Sequence, residues 1–101
     1  MERLGVLYPE EIEQKLNSML YVAESLVVDD ENKLVALIYP DFDNAHAAGL
    51  NDEQIEVQLK RNIDQLNTEL PAYSQISRLR MLHEEFEKTP KRSIKRYLYQ
   101  H

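Results

Sequence analysis

The chain has 101 residues, 43% of them hydrophobic and 30% charged, and a formal net charge of −6, which fits one acidic globular domain. It contains no cysteine, so disulfides and cysteine-ligated zinc are excluded. It has no apolar run close to the roughly 20 residues that are needed to span a bilayer, and its N-terminus lacks the apolar region of a signal peptide. We therefore predict a cytoplasmic protein.

The first predicted element is a helix in "YPEEIEQKLNSML". Pro9 suits the first helical position, and the glutamates after it complement the positive end of the helix dipole. Ile12, Leu16 and either Met19 or Leu20 recur at helical spacing, which predicts one apolar face.

Two strands follow, in "YVAESLVV" and "KLVALIYP", joined by the polar turn "DDENK". Val22, Leu26 and Val28 share one strand parity, so we expect them on one face of the sheet. The second run is apolar from Leu34 to Tyr39. A continuous apolar strand is predicted to be central in the sheet and covered on both faces.

The clearest helix is "NDEQIEVQLKRNIDQLNTEL", after a loop or weak helical turn in "DFDNAHAAGL". Asn51 is the predicted N-cap, Gln54 can reach back to it as in a capping box, and Pro71 ends the helix. One face of this helix is predicted to be apolar: Ile55, Leu59, Ile63, Leu66 and Leu70.

A short strand in "SRLRML", with Leu79 and one of Met81 or Leu82 facing inward, precedes a last predicted helix from about Ser93. Ile94 and Leu98 are four residues apart in that helix. The element order predicts an α+β domain, in which helices pack on a small mainly antiparallel or mixed sheet of about three strands as a two-layer sandwich.

Charge is unevenly distributed along these elements. Residues 1–70 hold 15 acidic and 5 basic side chains, whereas residues 71–101 hold 3 acidic and 7 basic ones. Five cations crowd into residues 88–96, in "KTPKRSIKR". This asymmetry indicates an anionic partner for the last third, or else a solvated basic end that offsets the acidic body; a nucleic-acid ligand is disfavoured because no aromatic stacking surface accompanies the cations.

If the last segment is helical, Lys91 and Lys95 form one cationic stripe, and Arg92 and Arg96 another. Cations at a helix N-terminus oppose the helix dipole. The alternatives are therefore a loop in "TPKR" with Ser93 as the helix cap, or a functional reason for placing charge there.

Other chemistry finds little support in the residues. Gly5 and Gly49 are the only glycines, so a phosphate-binding glycine loop is absent. The histidines His46, His83 and His101 are scattered without metal-ligand spacing, and the glutamates next to His83 are better explained by a solvated strand end. We predict no metal site.

Three segments nevertheless resemble one family. "YPEEIE" resembles the "P-x-E-I-E" that opens the C-terminal domain of the adenylate-forming enzymes, which include acyl-CoA synthetases, luciferases and adenylation domains of peptide synthetases. "LNTELPAYSQISRLRML" resembles the middle motif of that domain, and "EFEKTPKRSIKR" its final motif, "P-x-T-x-x-G-K-I-x-R". The ending "TPxxxIKRYLY" looks most like long-chain fatty acyl-CoA ligases.

The resemblance implies that the whole chain, residues 1–101, is a mobile lid. An N-terminal domain upstream of Met1 would bind ATP with Mg²⁺ and the fatty acid, and the lid would rotate between adenylation and thioester formation with CoA. It also implies an isolated fragment without activity or bound cofactor, and leaves peripheral membrane contact of the full-length enzyme open. The alternative is a free-standing binding module that holds an anionic partner through its basic end.

The same resemblance assigns site residues. The catalytic lysine of the final motif falls on Ser93, which carries no cation, so Lys91, Arg92 or Lys95 is expected to substitute. Three further residues are assigned to the CoA or phosphate side of the site: Gly5, Tyr8 and Arg96.

Overall fold

The computed structural model describes residues 9–31, 33–91, 93–95 and 98–99. Its elements in chain order are α1 (Pro9–Asn17), β1 (Val22–Asp30), β2 (Lys33–Pro40), α2 (Phe42–Ala47), α3 (Asp52–Asn67), a 3₁₀ turn (Ala72–Ser74) and β3 (Ile76–Met81). The predicted first helix, strand pair, long helix and third strand are therefore confirmed. The segment between the second strand and the long helix contains the short helix α2.

The sheet has the order β1-β2-β3, with β1 antiparallel and β3 parallel to β2. The continuously apolar strand β2 is central, as predicted, because its residues 35–38 are buried on both faces. A parallel neighbour requires a crossover connection, and α2 and α3 supply it between β2 and β3. The three-stranded mixed sheet confirms the predicted α+β class.

Helices cover one face of this sheet. Ile12 and Leu16 of α1 and the apolar stripe of α3 are buried against alternate strand residues. The side chains of this main core include Val27, Ala36, Ile38, Ile55, Leu59, Ile63 and Leu66. Leu79 and Met81 of β3 pack at its edge, which agrees with the inward positions predicted for that strand.

The predicted parity of β1 is wrong at one residue. Leu26 and Val28 belong to a second apolar cluster on the opposite face of the sheet, whereas Val22 packs in the main core. The reason is an irregularity in the pairing between Val22 and Glu24, where β1 carries one residue more than β2. Such a β-bulge shifts the side-chain alternation, which lets Val22 and Leu26 face different layers.

Two polar side chains fasten the helices to the strands. The Glu13 carboxylate accepts a hydrogen bond from the Val27 backbone N–H at 2.7 Å, which satisfies a donor on the outer strand of the described sheet. Asn67 binds both backbone groups of Ile76, accepting from its N–H at 2.9 Å and donating to its carbonyl at 3.0 Å. Glu13 and Asn67 both belong to motifs that resemble the family, and these contacts give each of them a structural role.

The predicted caps of α3 are present. Asn51 Oδ1 accepts from the Gln54 N–H and Gln54 Oε1 accepts from the Asn51 N–H, both at 2.8 Å, which completes the capping box. The helix ends at Asn67, before Pro71. Gly49 follows α2 with a φ of 91°, a conformation that glycine adopts without strain.

Among the described residues, no helix is long and apolar enough to cross a membrane.

Candidate functional site

The basic segment folds back on itself as a hairpin. Lys88 and Ile94 form an antiparallel β-bridge. On one side of the bridge the Thr89 N–H donates to the Ser93 carbonyl at 2.8 Å, and on the other the Lys95 N–H donates to the Glu87 carbonyl at 2.8 Å. We call residues 87–91 and 93–95 the basic hairpin.

The predicted final helix is therefore wrong at residues 93–95, whereas Leu98 lies in a 3₁₀ turn in which its N–H donates to the Lys95 carbonyl at 3.1 Å. The Ser93 N–H donates to Thr89 Oγ1 at 3.3 Å, so Ser93 takes part in the turn of the hairpin. Ile94 pairs with Lys88 in the bridge and packs on the second apolar cluster. Leu98, which the helical spacing placed beside Ile94, is 49% exposed.

Aromatic contacts fix the base of the basic hairpin on the sheet. Phe86 is 3% exposed and packs on Leu26, Val28, Val35 and Leu37, the face of the sheet opposite the helices. Tyr99 meets the Phe86 ring edge-on, with 5.1 Å between the ring centroids. The Tyr99 hydroxyl accepts a hydrogen bond from the Glu87 N–H at 2.8 Å.

One of the clustered cations is neutralised internally. Lys88 Nζ forms an ion pair with Glu24 Oε2 of β1, and it also lies 3.8 Å from Glu85 Oε1. The side chains of Lys88 and Glu24 are only 23% and 25% exposed, so water screens this pair less than a surface ion pair. Lys88 is therefore held against the sheet, and the charge available to a ligand comes from the rest of the basic hairpin.

The structure brings three of the predicted site residues together on that hairpin. Lys91, at the tip, and Ser93 are exposed, and Lys95 is half-buried two residues further along the strand. Ser93 also lines an open groove with Glu10, Glu24 and Lys88. The other predicted site residues lie outside the described residues: Gly5, Tyr8, Arg92 and Arg96.

The remaining cations of the described last third form a second surface. Arg78 and Arg80 are exposed on β3 and line a separate groove together with Asp30 and Tyr99. The exposed cations that the structure describes in residues 71–101 thus lie at the tip of the basic hairpin and on the outer strand of the sheet.

Two of the histidines lie closer together than their spacing in the sequence indicates. His46 Nε2 is 3.2 Å from Asp52 Oδ1, and His83 Nε2 is 3.7 Å from Asp52 Oδ2. Both rings also lie 5.6 Å, between centroids, from the ring of Phe42. The spacing of the histidines in the sequence did not indicate this proximity. In the part of the chain that the structure describes, no group of three side chains is arranged to hold a metal ion.

Sequence reasoning missed Glu24 as a partner of the basic segment. The available signal is the polar pair Glu24–Ser25 between the apolar residues Val22–Ala23 and Leu26–Val28 of strand β1. Ser25 faces α1, where its hydroxyl donates to Asn17 Oδ1 at 2.7 Å. Glu24 faces the other way, toward Lys88. Each side chain thus has a partner on a different face of the sheet.

Comparison with known proteins identifies the family of this domain. A family model described as the AMP-binding enzyme C-terminal domain matches residues 7–100. No curated protein sequence gives a significant match.

Several solved structures are similar. An acyl-CoA synthetase from Brucella canis is 21% identical with a TM-score of 0.61, over 91% of this chain and 16% of that protein. A benzoate CoA ligase from Burkholderia xenovorans LB400 is 19% identical with a TM-score of 0.66, over 97% and 19%. ATP-bound MatB from Rhodopseudomonas palustris is 17% identical with a TM-score of 0.63, over 92% and 17%. These identities show a shared fold, and the chain spans less than a fifth of each protein.

Proposed function

On this match the chain belongs to the family of AMP-binding enzyme C-terminal domains, and we propose that it is the lid of an ATP-dependent acid–thiol ligase. The partner of the lid is an adenylation domain in the same protein, which binds ATP with Mg²⁺ and a carboxylic acid. Family membership and the share of the similar proteins that the chain covers support this proposal.

The observation that carries the chemical part of the proposal is the exposed tip of the basic hairpin. In the first half-reaction the carboxylate attacks the α-phosphorus of ATP, and the bond to pyrophosphate breaks. Negative charge develops on the oxygens of the five-coordinate phosphorus. A cation held near those oxygens lowers the barrier because it stabilises that charge. Lys91 is exposed at the tip and can supply such a cation.

We propose that Lys91 takes over the task of the motif lysine, whose position Ser93 occupies. Its exposure favours it over the half-buried Lys95. An ammonium on a flexible stem can reach one phosphate from more than one backbone position. Arg92 remains a second candidate, and it lies outside the described residues.

In the second half-reaction the sulfur of CoA attacks the acyl-adenylate carbonyl and AMP leaves. We propose that Gly5, Tyr8 and Arg96 contribute to the CoA side of the site, as the resemblance implies. The long-chain fatty acid substrate is also a proposal, and the ending "TPxxxIKRYLY" supports it. A benzoate CoA ligase is among the proteins of similar fold, so the choice of a long-chain acid rests on this ending and not on the fold.

The test compares the full-length protein with a truncated form that lacks residues 1–101. Fatty acid–dependent pyrophosphate exchange reports adenylation, and thioester formation from synthetic acyl-adenylate reports the second step. A lid that completes both sites predicts that both rates fall steeply on truncation. Full rates in the truncated protein would contradict the proposed function.

A further inference from the structure

We propose that Glu24 is a positioning residue for adenylation, which acts by holding the basic hairpin through Lys88. The inference rests on the proposed function, and it adds a residue that lies on β1, outside the final motif. Lys88 would then be a tether, by which we mean a side chain that holds the basic hairpin on β1. The charge that binds phosphate would come from the tip of the basic hairpin.

The first observation is the place of the ion pair within the hairpin. Lys88 is the bridge partner of Ile94, next to Ser93. Its side chain bonds Glu24 on the edge strand of the sheet. A contact at the bridge fixes both strands of the hairpin at once, whereas the aromatic contacts of Phe86 and Tyr99 fix only its base.

The second observation is the bulge in β1. Glu24 shares its strand parity with Leu26 and Val28, which face the layer formed by the basic hairpin. Val22 precedes the bulge and faces the helices instead. The bulge therefore lets β1 bury an apolar side chain on one face and present a carboxylate to the hairpin on the other, as bulges beside functional sites do.

The third observation is the environment of the pair. Both side chains are about three-quarters buried, and Glu24 Oε1 is shielded from solvent without a hydrogen-bond partner among the described residues. Glu85, the other carboxylate near Lys88, is 68% exposed. Removing one partner of a buried pair leaves an uncompensated charge, so losing Glu24 disturbs the hairpin more than losing Glu85.

The experiment uses the full-length protein and measures both half-reactions. Glu24→Gln is expected to lower the adenylation rate about tenfold, because a small displacement of a catalytic group is costly in rate. Thioester formation from supplied acyl-adenylate should stay within about twofold in the same variant. Glu85→Gln is the matched control and should leave both rates unchanged. Glu24→Asp, which keeps the carboxylate, should lie between the wild type and Glu24→Gln.

The charge-exchanged variant Glu24→Lys/Lys88→Glu separates a tether from a ligand. It keeps the ion pair and removes the Lys88 cation, so a tether predicts recovery of adenylation toward the wild-type rate. Failure to recover would show that Lys88 itself binds phosphate and would overturn the proposal. An equal fall of both half-reactions in Glu24→Gln, or no fall at all, would overturn it as well.

Hydrogen exchange tests this inference independently of the proposed function. In Glu24→Gln, and not in Glu85→Gln, the Thr89 and Lys95 amides should exchange faster, because both bonds depend on a closed hairpin. Unchanged exchange rejects the tether even if the enzyme adenylates fatty acids. Faster exchange in a protein without adenylation activity supports the tether and rejects the function.

Discussion

Thr89 and Ser93 face each other across the tip of the basic hairpin, where the Thr89 N–H donates to the Ser93 carbonyl at 2.8 Å and the Ser93 N–H bonds to Thr89 Oγ1 at 3.3 Å. Ser93 is held by its backbone, and its side chain remains exposed. Ser93, which we propose to align with the motif lysine, thus lies two residues from the exposed Lys91, on a segment fixed to the sheet by Phe86 and Lys88.

Substitution of Ser93 tests this placement. Because the hairpin uses the backbone of Ser93, Ser93→Ala should change the free energy of unfolding by no more than about 0.5 kcal/mol. A helix cap would cost about 1 kcal/mol. Denaturant unfolding of both proteins decides between these values.

Ser93→Lys should fold normally, because a long cation at an exposed site keeps its charged head in water. If the proposed interface with the adenylation domain receives ATP at this point, the full-length variant should adenylate faster than the wild type, with pyrophosphate exchange as the measurement. Unfolding of this variant would show that the side chain points into the core and would end the alignment of Ser93 with the motif lysine.

The isolated chain is expected to fold and to be inactive. Its main core is closed by α1, α3 and the sheet, and a cooperative thermal transition by circular dichroism would report that closure. The same sample should release no pyrophosphate with ATP and a fatty acid. Measurable release would mean that these 101 residues contain an adenylation site of their own.

The Asn67–Ile76 contact should matter for stability. Asn67→Ala leaves both backbone groups of Ile76 without their side-chain partner, and Ile76 is 5% exposed. Each unsatisfied buried group costs about 1–3 kcal/mol, so the midpoint of urea unfolding should fall clearly. Thr68→Ala, an exposed change one residue away, is the control and should lower the midpoint much less.

Two residues of α3 offer a matched pair for the core. Leu59 is fully buried, whereas Val57 is 50% exposed on the same helix. Leu59→Ala should destabilise the domain by about 2–5 kcal/mol, since it removes buried methyl groups and leaves a cavity. Val57→Ala should stay within about 0.5 kcal/mol. Similar losses at both positions would contradict the orientation of α3.

The elements that could be predicted from the sequence carry their signals locally. The helix α3 has a helical apolar stripe and a capping box within its own residues, and β2 has a continuous apolar run. The structure confirms both elements because their burial agrees with these patterns.

The basic hairpin could not be predicted because the contacts that hold it are made with distant parts of the chain. Ile94 and Leu98 have helical spacing, but the apolar cluster around Leu26 and Leu37 requires a cover, and an extended Ile94 supplies part of it. The partner of Lys88 is a glutamate at the other end of the chain, and the parity of Val22 depends on pairing with β2. Contacts between distant segments set all three features.

The measurement that most directly tests the phosphate-binding tip is the rate of each half-reaction in full-length Lys91→Glu, with Lys33→Glu as the control. Lys33 is exposed at the opposite end of the β1–β2 pair, roughly 20 Å along the strands from Glu24 at about 3.3 Å per residue. If Lys91 binds the reacting phosphate, Lys91→Glu should slow adenylation about a hundredfold with an unchanged unfolding midpoint, and Lys33→Glu should match the wild type. Equal adenylation rates in the two variants would contradict a catalytic role for the basic hairpin.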